Sequence, residues 1–147
     1  MTATDPHNLH RFVQAQEHDY AQALSEIQRG RKLSHWMWYI FPQIDGLGFS
    51  PISRLYAILS VAEATAYLDH PVLGPRLIAC TEAALEVVGR SARDIFGFPD
   101  DLKLGSSATL FANVSPAGSI FHRLLDRYFE GQPDPKTLAL LGVARDP

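Results

Sequence analysis

The sequence predicts an all-α protein, a compact single-domain bundle of about seven to nine short helices. Apolar residues recur at three- and four-residue steps, and no run alternates as a half-buried strand would. Serine, aspartate and proline before these stripes, and glycine after them, divide the chain into short segments. The 147 residues, 46% hydrophobic and 20% charged, fit one packed domain over residues 1–147, with residues 1–6 as a flexible N-terminal tail.

The first predicted helix has both of its ends marked. Asp5-Pro6 supplies an N-cap and a first-turn proline, and Gly30 supplies the glycine that commonly follows a helix. One mostly apolar stripe runs between them, formed by Leu9, Phe12, Val13, Gln16, Tyr20, Leu24 and Ile27. The spacing therefore predicts a long helix that packs one face into the core.

The segment after this helix is short and rich in aromatic residues. Ser34 is placed to cap a turn of helix over residues 36–41, which Pro42 stops. A buried strand fits the same six residues, because a short apolar run does not distinguish the two structures. Residues 43–49 contain two glycines and are predicted to form a loop.

Four more helices are predicted between residues 50 and 97. Their starts are Ser50-Pro51, Ser60, Pro71 and Ser91, and the last three end near Asp69, Val88 and Gly97. Glu63, three residues after Ser60, completes the pattern of a capping box, in which the two side chains bond to each other's backbone N–H groups.

The last third of the chain continues with short helices. A helical turn is predicted over residues 100–104, and a separate helix over residues 108–113 is capped by Ser106 or Ser107. Two further helices complete the chain, one between Ser119 and Gly131 and one from Asp134-Pro135 to Leu141.

Composition and charge argue against several classes of protein. The one cysteine, Cys80, allows no intramolecular disulfide and has the apolar neighbours of a buried residue. The polar N-terminus lacks a basic signal-peptide region, and the longest strongly apolar run, residues 36–41, is far too short for a membrane span. We therefore expect a cytoplasmic protein with no membrane partner. The net charge of −3 makes nucleic acid the least favoured partner.

The first candidate site segment covers residues 29–43. Its candidate ligand-binding residues are Arg31, Lys32, Trp36, Trp38 and Gln43, and His35 is a candidate acid/base residue. Aromatic faces beside cationic side chains suit a planar anionic ligand. In the structural alternative, Trp36 fills the core while Arg31 and Lys32 balance the negative end of the preceding helix.

The second candidate segment covers residues 99–111. Gly105-Ser106-Ser107 ahead of a helix would present free backbone N–H groups and two hydroxyls to an anion. Lys103, Ser106 and Ser107 are candidate ligand-binding residues, and Asp101 is a second candidate acid/base residue. The structural alternative is a pair of helix caps with a surface ion pair.

We predict that the two segments meet in space and form a site for a small anionic ligand, phosphorylated or nucleotide-like, with or without hydrolytic or transfer chemistry. No motif indicates a cofactor or a metal: the His-Glu-x-x-His pattern is missing, and His7 and His10 fit solvated positions near the N-terminus. The alternative is a non-enzymatic protein–protein interaction module, in which exposed tryptophans contact a protein partner that the sequence does not identify.

Motifs spread over nearly the whole chain resemble those of one family. The most specific is the Ser-His-Trp-Met-Trp block at residues 34–38, and the others include residues 9–16, 66–77 and 99–104. On these motifs the chain resembles the bacterial and fungal family catalogued as domain of unknown function 1810. The resemblance implies a compact all-helical fold and supplies no activity. Members are often labelled calpastatin-like, but a calpain inhibitor of that kind is a long disordered chain, whereas this composition predicts a packed domain.

Overall fold

The structure is a computed structural model that describes residues 4–142. Over this range the chain forms nine α-helices and one isolated parallel bridge between Ile44 and Ile58. The helices are α1 (His10–Gln28), α2 (Met37–Ile40), α3 (Pro51–Leu55), α4 (Val61–Asp69), α5 (Leu73–Glu86), α6 (Ala92–Phe96), α7 (Asp100–Ala112), α8 (Ile120–Phe129) and α9 (Pro135–Leu141). The predicted all-α fold is confirmed. The predicted flexible tail over residues 1–6 begins at positions that lie outside the described residues.

The core is organised around a row of aromatic rings, each in contact with the next. Phe12 of α1 meets Tyr67 of α4 edge-on, with ring centres 5.1 Å apart. Tyr67 in turn meets Phe111 of α7 at 5.4 Å, and Phe111 meets Phe121 of α8 at 5.6 Å. Because such ring pairs add roughly 1 kcal/mol each to the effect of burial, they hold these four helices around one core. Among the described residues, the helices are all too short or too polar to cross a membrane.

Side-chain caps confirm five of the predicted helix starts. At each of them a side-chain oxygen accepts a hydrogen bond from the backbone N–H three residues later; the caps are Ser50, Ser60, Ser91, Ser119 and Asp134. The start of α1 differs from the prediction, because the helix begins at His10. The Asp5 carboxylate accepts hydrogen bonds from the N–H groups of Leu9 and His10, so it stabilises the helix start from outside the helix.

Glu63 does not complete the predicted capping box of α4. Ser60 Oγ accepts a hydrogen bond from the Glu63 N–H, but the Glu63 carboxylate is buried and lies 2.7 Å from Arg11 Nη2. Arg11 also donates hydrogen bonds to the carbonyl oxygens of Leu55 and Ala57. A carboxylate at this depth requires a charged partner, and the guanidinium group supplies one from α1. The ion pair therefore ties α1 to α4, and the two carbonyl bonds tie α1 to the end of α3 and to the connection that follows it.

The predicted break between residues 104 and 108 is wrong. α7 runs without interruption over Asp100–Ala112, so Ser106 and Ser107 lie in the helix interior and cap nothing. Gly105 allows α8 to approach closely, since a Cβ at this position would lie 3.0 Å from Cε1 of the Phe129 ring. The backbone N–H groups at these positions are used inside the helix, so they do not form the anion site that the sequence suggested.

Two helical glycines allow a matched test of close helix packing. An alanine Cβ at Gly74 would lie 2.1 Å from the backbone oxygen of Leu68, whereas at Gly105 it would meet the end of the Phe129 side chain, which can turn aside. We expect Gly74→Ala to lower the free energy of unfolding by about 3 kcal/mol, and Gly105→Ala by less than about 1 kcal/mol. Urea denaturation of both variants measures the difference. Equal losses would contradict the packing described for Gly74.

Candidate functional site

One buried carboxylate, Glu26 of α1, holds the segment that follows α1. Its Oε1 accepts hydrogen bonds from the backbone N–H groups of Leu33 at 2.8 Å and Ser34 at 2.9 Å. The same oxygen accepts a bond from Trp36 Nε1 at 2.9 Å, and Oε2 accepts bonds from Ser34 Oγ and Gln22 Nε2. Burial alone would raise the pKa of the Glu26 carboxyl, but the bonds from Leu33, Ser34 and Trp36 lower it to about 2. Ser34 therefore serves this carboxylate and does not cap α2.

The two tryptophans have different environments. Trp36 is completely buried and packs against Phe41 and Phe96, with ring centres 6.4 and 6.3 Å away. The prediction that Trp36 stacks on a ligand is wrong, because its ring is enclosed by the core. Trp38 is half-buried and lines a cavity. Lys103 Nζ lies 5.3 Å from the centre of the Trp38 ring, within the range of a cation–π interaction.

The two candidate segments meet at Asp100. Its Oδ2 lies 2.8 Å from Lys32 Nζ, and its Oδ1 lies 3.6 Å from Lys103 Nζ. The backbone N–H of Lys32 also donates a hydrogen bond to the carbonyl oxygen of Ile95, at 2.6 Å. The structure therefore brings the aromatic segment against α6 and α7, and an aspartate joins the two lysines.

A small recess lies at this contact. Its volume is about 320 Å³, and its lining residues are Lys32, Leu33, His35, Met37, Trp38, Phe98, Pro99 and Asp100. His35 is exposed and lines this recess, so its imidazole is open to solvent and to a bound molecule. Of the two candidate acid/base residues, His35 is the one beside a cavity.

A large recess shares Pro99 with the small one and has a volume of about 690 Å³. Its apolar side chains are Leu47, Pro99, Leu102, Phe129, Pro133 and Pro135, and its polar side chains are Gln43, Ser53, Lys103, Ser106, Gln132, Asp134 and Lys136. A cavity of this size with apolar walls and a few convergent polar groups is typical of small-molecule sites. Among residues 4–142, no group of three or more His, Cys, Asp or Glu side chains is placed to hold a metal ion.

Six of the ten predicted site residues line the two recesses: Lys32, His35, Trp38, Gln43, Lys103 and Ser106. Arg31 is exposed and does not line either recess, so its predicted role in binding stays a prediction. Asp101 and Ser107 are also outside both recesses; Asp101 Oδ1 and Ser107 Oγ are buried without a hydrogen-bond partner in the described part of the chain. Successive side chains on a helix point about 100° apart, which is why Asp100 reaches the site and Asp101 does not.

The last part of the chain also contributes to the site, and no motif in the sequence indicates this contribution. Residues 132–136 line the large recess, and Asp134 fixes their position. The Asp134 N–H donates a hydrogen bond to Thr109 Oγ1 at 2.8 Å, and its Oδ2 lies 3.1 Å from Ser106 Oγ. The run of prolines around Asp134 indicates a loop before a helix, but nothing local in the sequence indicates that this loop packs on α7. Lys136 is therefore a cation of the site that only the structure identifies.

Comparisons with known proteins agree with this fold. The family described as Protein of unknown function (DUF1810) matches residues 6–141. A solved structure, that of the conserved hypothetical protein Rv1873 from Mycobacterium tuberculosis, is similar with a TM-score of 0.92 and 51% sequence identity. The alignment covers 95% of this chain and 100% of that chain. A search of curated proteins gave no match.

Glu26→Gln tests whether the buried carboxylate fixes the segment after α1. The side-chain amide keeps the size of glutamate but brings two hydrogens among groups that are themselves donors. We expect the substitution to lower the free energy of unfolding by about 3 kcal/mol, because a neutral amide oxygen accepts weaker bonds from the three N–H donors and the amide NH2 group faces the donors that now bond to Oε2. Urea denaturation at pH 7 measures this loss, and a change below about 1 kcal/mol would contradict the role assigned to Glu26.

The lowered pKa of Glu26 provides a second test. Since its folded-state pKa of about 2 lies below the ordinary value of 4.5, its stabilising effect is complete above about pH 4.5 and is lost as the pH falls toward 2. From pH 5 to pH 3, the wild-type protein should lose about 2 kcal/mol more stability than Glu26→Gln. Parallel stability curves for the two proteins would show that Glu26 does not titrate in this way.

Proposed function

The chain belongs to the family described as Protein of unknown function (DUF1810), and we propose that it binds a small anionic molecule that carries a ring, phosphorylated or nucleotide-like, in the large recess. The observation that carries this proposal is the position of a lysine beside a half-buried tryptophan next to an apolar cavity. Lys103 both lines the large recess and lies over the Trp38 ring. Charge and apolar surface are thus available to one ligand at the same time.

The anionic group of the ligand would bind at Lys103 and Lys136, which both line the large recess. Lys103 Nζ lies 3.6 Å from the Asp100 carboxylate, which is longer than a hydrogen bond, and its side chain is 27% exposed. Its ammonium group therefore has donors to offer to a ligand. Gln43 and Ser53 add neutral polar groups to the same recess.

The ring of the ligand would lie against the apolar side of the large recess. Leu47, Leu102 and Phe129 belong to this side, and Leu102 is 56% exposed in the absence of a ligand. Covering such surface contributes roughly 25 cal/mol for each Å² of apolar area removed from water. This contribution favours a molecule with a flat apolar part over a free inorganic anion.

Any chemistry on the ligand would use His35, because His35 lines the adjoining small recess and Asp101 does not. An imidazole can act as a general base when it is neutral and as a general acid when it is protonated. We propose binding as the primary activity and His35 as the acid/base residue if the ligand is transformed. The single buried cysteine, Cys80, suits the reducing cytoplasm in which we propose that the protein acts.

The alternative, a protein-docking module, requires exposed tryptophans. Trp36 is fully buried and bonded to Glu26, and Trp38 is only half exposed and is covered in part by Lys103. These two residues therefore do not supply the aromatic anchors that the alternative predicts. We accordingly rank small-molecule binding above docking.

Lys103→Ala tests the proposed binding site. A panel of nucleotides and sugar phosphates is screened by thermal shift, and any stabilising compound is then titrated while the fluorescence of the two tryptophans is followed. We expect at least one compound to raise the melting temperature and Lys103→Ala to weaken its binding by about tenfold or more, because the cation is lost from a partly buried site.

Arg29→Ala is the matched control, since it removes one positive charge from an exposed residue that lines neither recess. We expect its affinity to stay within about twofold of the wild-type value, because screening weakens distant surface charges. If the whole panel leaves the melting temperature unchanged, or if both variants weaken binding equally, the proposed site is wrong.

A further inference from the structure

We infer that Asp100 is a specificity-determining residue, which makes the site prefer a ligand with one negative charge over a ligand with two. This inference rests on the proposed function and deepens it, because it concerns the charge of the molecule that the recess accepts. The Asp100 carboxylate already lies between the two lysines at which an anionic group would otherwise bind, within reach of both.

The three charged groups differ in the distances between them and in their exposure to solvent. Lys32 Nζ lies 2.8 Å from Asp100 and its side chain is only 7% exposed, so its ammonium group is held in the ion pair with the aspartate. Lys103 Nζ lies at 3.6 Å and its side chain is 27% exposed, so it is the cation that a ligand can reach. Asp100 itself is 20% exposed and lines the small recess. An anion bound to Lys103 from the large recess would therefore feel the negative charge of Asp100 close by.

The charges around both recesses lead to the same conclusion. Among the described residues, the charged side chains that line them are Lys32, Lys103, Lys136, Asp100 and Asp134. The three lysines and the two aspartates together carry one net positive charge. Asp134 accepts hydrogen bonds from Thr137 and lies 3.1 Å from Ser106 Oγ, so its charge is fixed in place. One net positive charge attracts a second negative charge on the ligand only weakly, and a dianion loses more hydration than a monoanion when it enters the recess.

Removing the negative charge of Asp100 should therefore strengthen the binding of doubly charged ligands more than that of singly charged ligands. Coulomb's law at a separation of roughly 6 Å, with a dielectric constant close to the value of about 80 for water because these side chains are partly exposed, predicts that Asp100→Asn strengthens the binding of a dianion by about tenfold and that of a monoanion by about threefold. The ratio of the two affinities changes by about threefold toward the dianion. This ratio distinguishes an effect on ligand charge from a general gain or loss of binding.

Benzoate and phenyl phosphate serve as matched probes, since both carry one benzene ring. At pH 8 benzoate has one negative charge, and phenyl phosphate has two because its second pKa lies near 6. Dissociation constants come from titrations of tryptophan fluorescence on the wild-type protein, on Asp100→Asn and on Asp69→Asn. The last variant is the control, because Asp69 is an exposed residue at the end of α4 that lines neither recess.

We expect the wild-type protein to bind phenyl phosphate no more tightly than benzoate. In Asp100→Asn the ratio of the phenyl phosphate affinity to the benzoate affinity should rise by about threefold. In Asp69→Asn this ratio should stay at the wild-type value. Each ratio is measured on one protein sample, so a partly unfolded variant still reports it. If both probes bind but the ratio is the same in Asp100→Asn and wild type, the inference is overturned and the proposed function stands. If neither probe binds to any of the three proteins while Asp100→Asn is folded, the inference falls together with the binding site on which it rests.

Discussion

The position of the candidate site depends on one buried anion, the carboxylate of Glu26. An ionised carboxylate inside a protein is stable only where hydrogen-bond donors surround it, and here the donors come from the next stretch of the chain. Satisfying Glu26 forces this stretch to turn back against α1, and the turn places the Trp36 indole in the core. Lys32, just before these donors, is thereby brought to α6 and to Asp100.

This turn divides the aromatic block into an inner and an outer part. Trp36 belongs to the core and contacts Phe41 and Phe96, whereas Trp38 lines the small recess and lies beside Lys103, which lines the large one. The structural interpretation of this block therefore applies to Trp36, and the functional interpretation that we propose applies to Trp38. The same division separates the lysines: Lys32 is held by Asp100, and Lys103 remains accessible. The buried part of the block thus supports an outer part in which Trp38 and Lys103 can contact a ligand.

The sequence predicted those parts of the fold that depend on residues three or four positions apart. Helix caps such as Ser91 with Asp94 are of this kind, and the structure forms that capping box completely. The predictions failed where the local structure depends on a residue that is far away in the sequence. Gly105 suggests a break in the helix, but its lack of a side chain instead allows the Phe129 ring to approach closely. Glu26 looks like a solvent-exposed helix residue until its donors are known, and the choice between Asp100 and Asp101 requires the exact start of α7.

The central claim is that one face of this arrangement takes up a ligand while the other stays closed. The two indole N–H signals in a ¹H–¹⁵N correlation spectrum report on the two faces separately during a titration with benzoate, which carries the single negative charge that we infer the site prefers. The account predicts that the Trp38 signal moves progressively to saturation while the Trp36 signal, fixed by Glu26, does not move. A Trp38 signal that stays in place up to high ligand concentration, or one that moves together with the Trp36 signal, would contradict it.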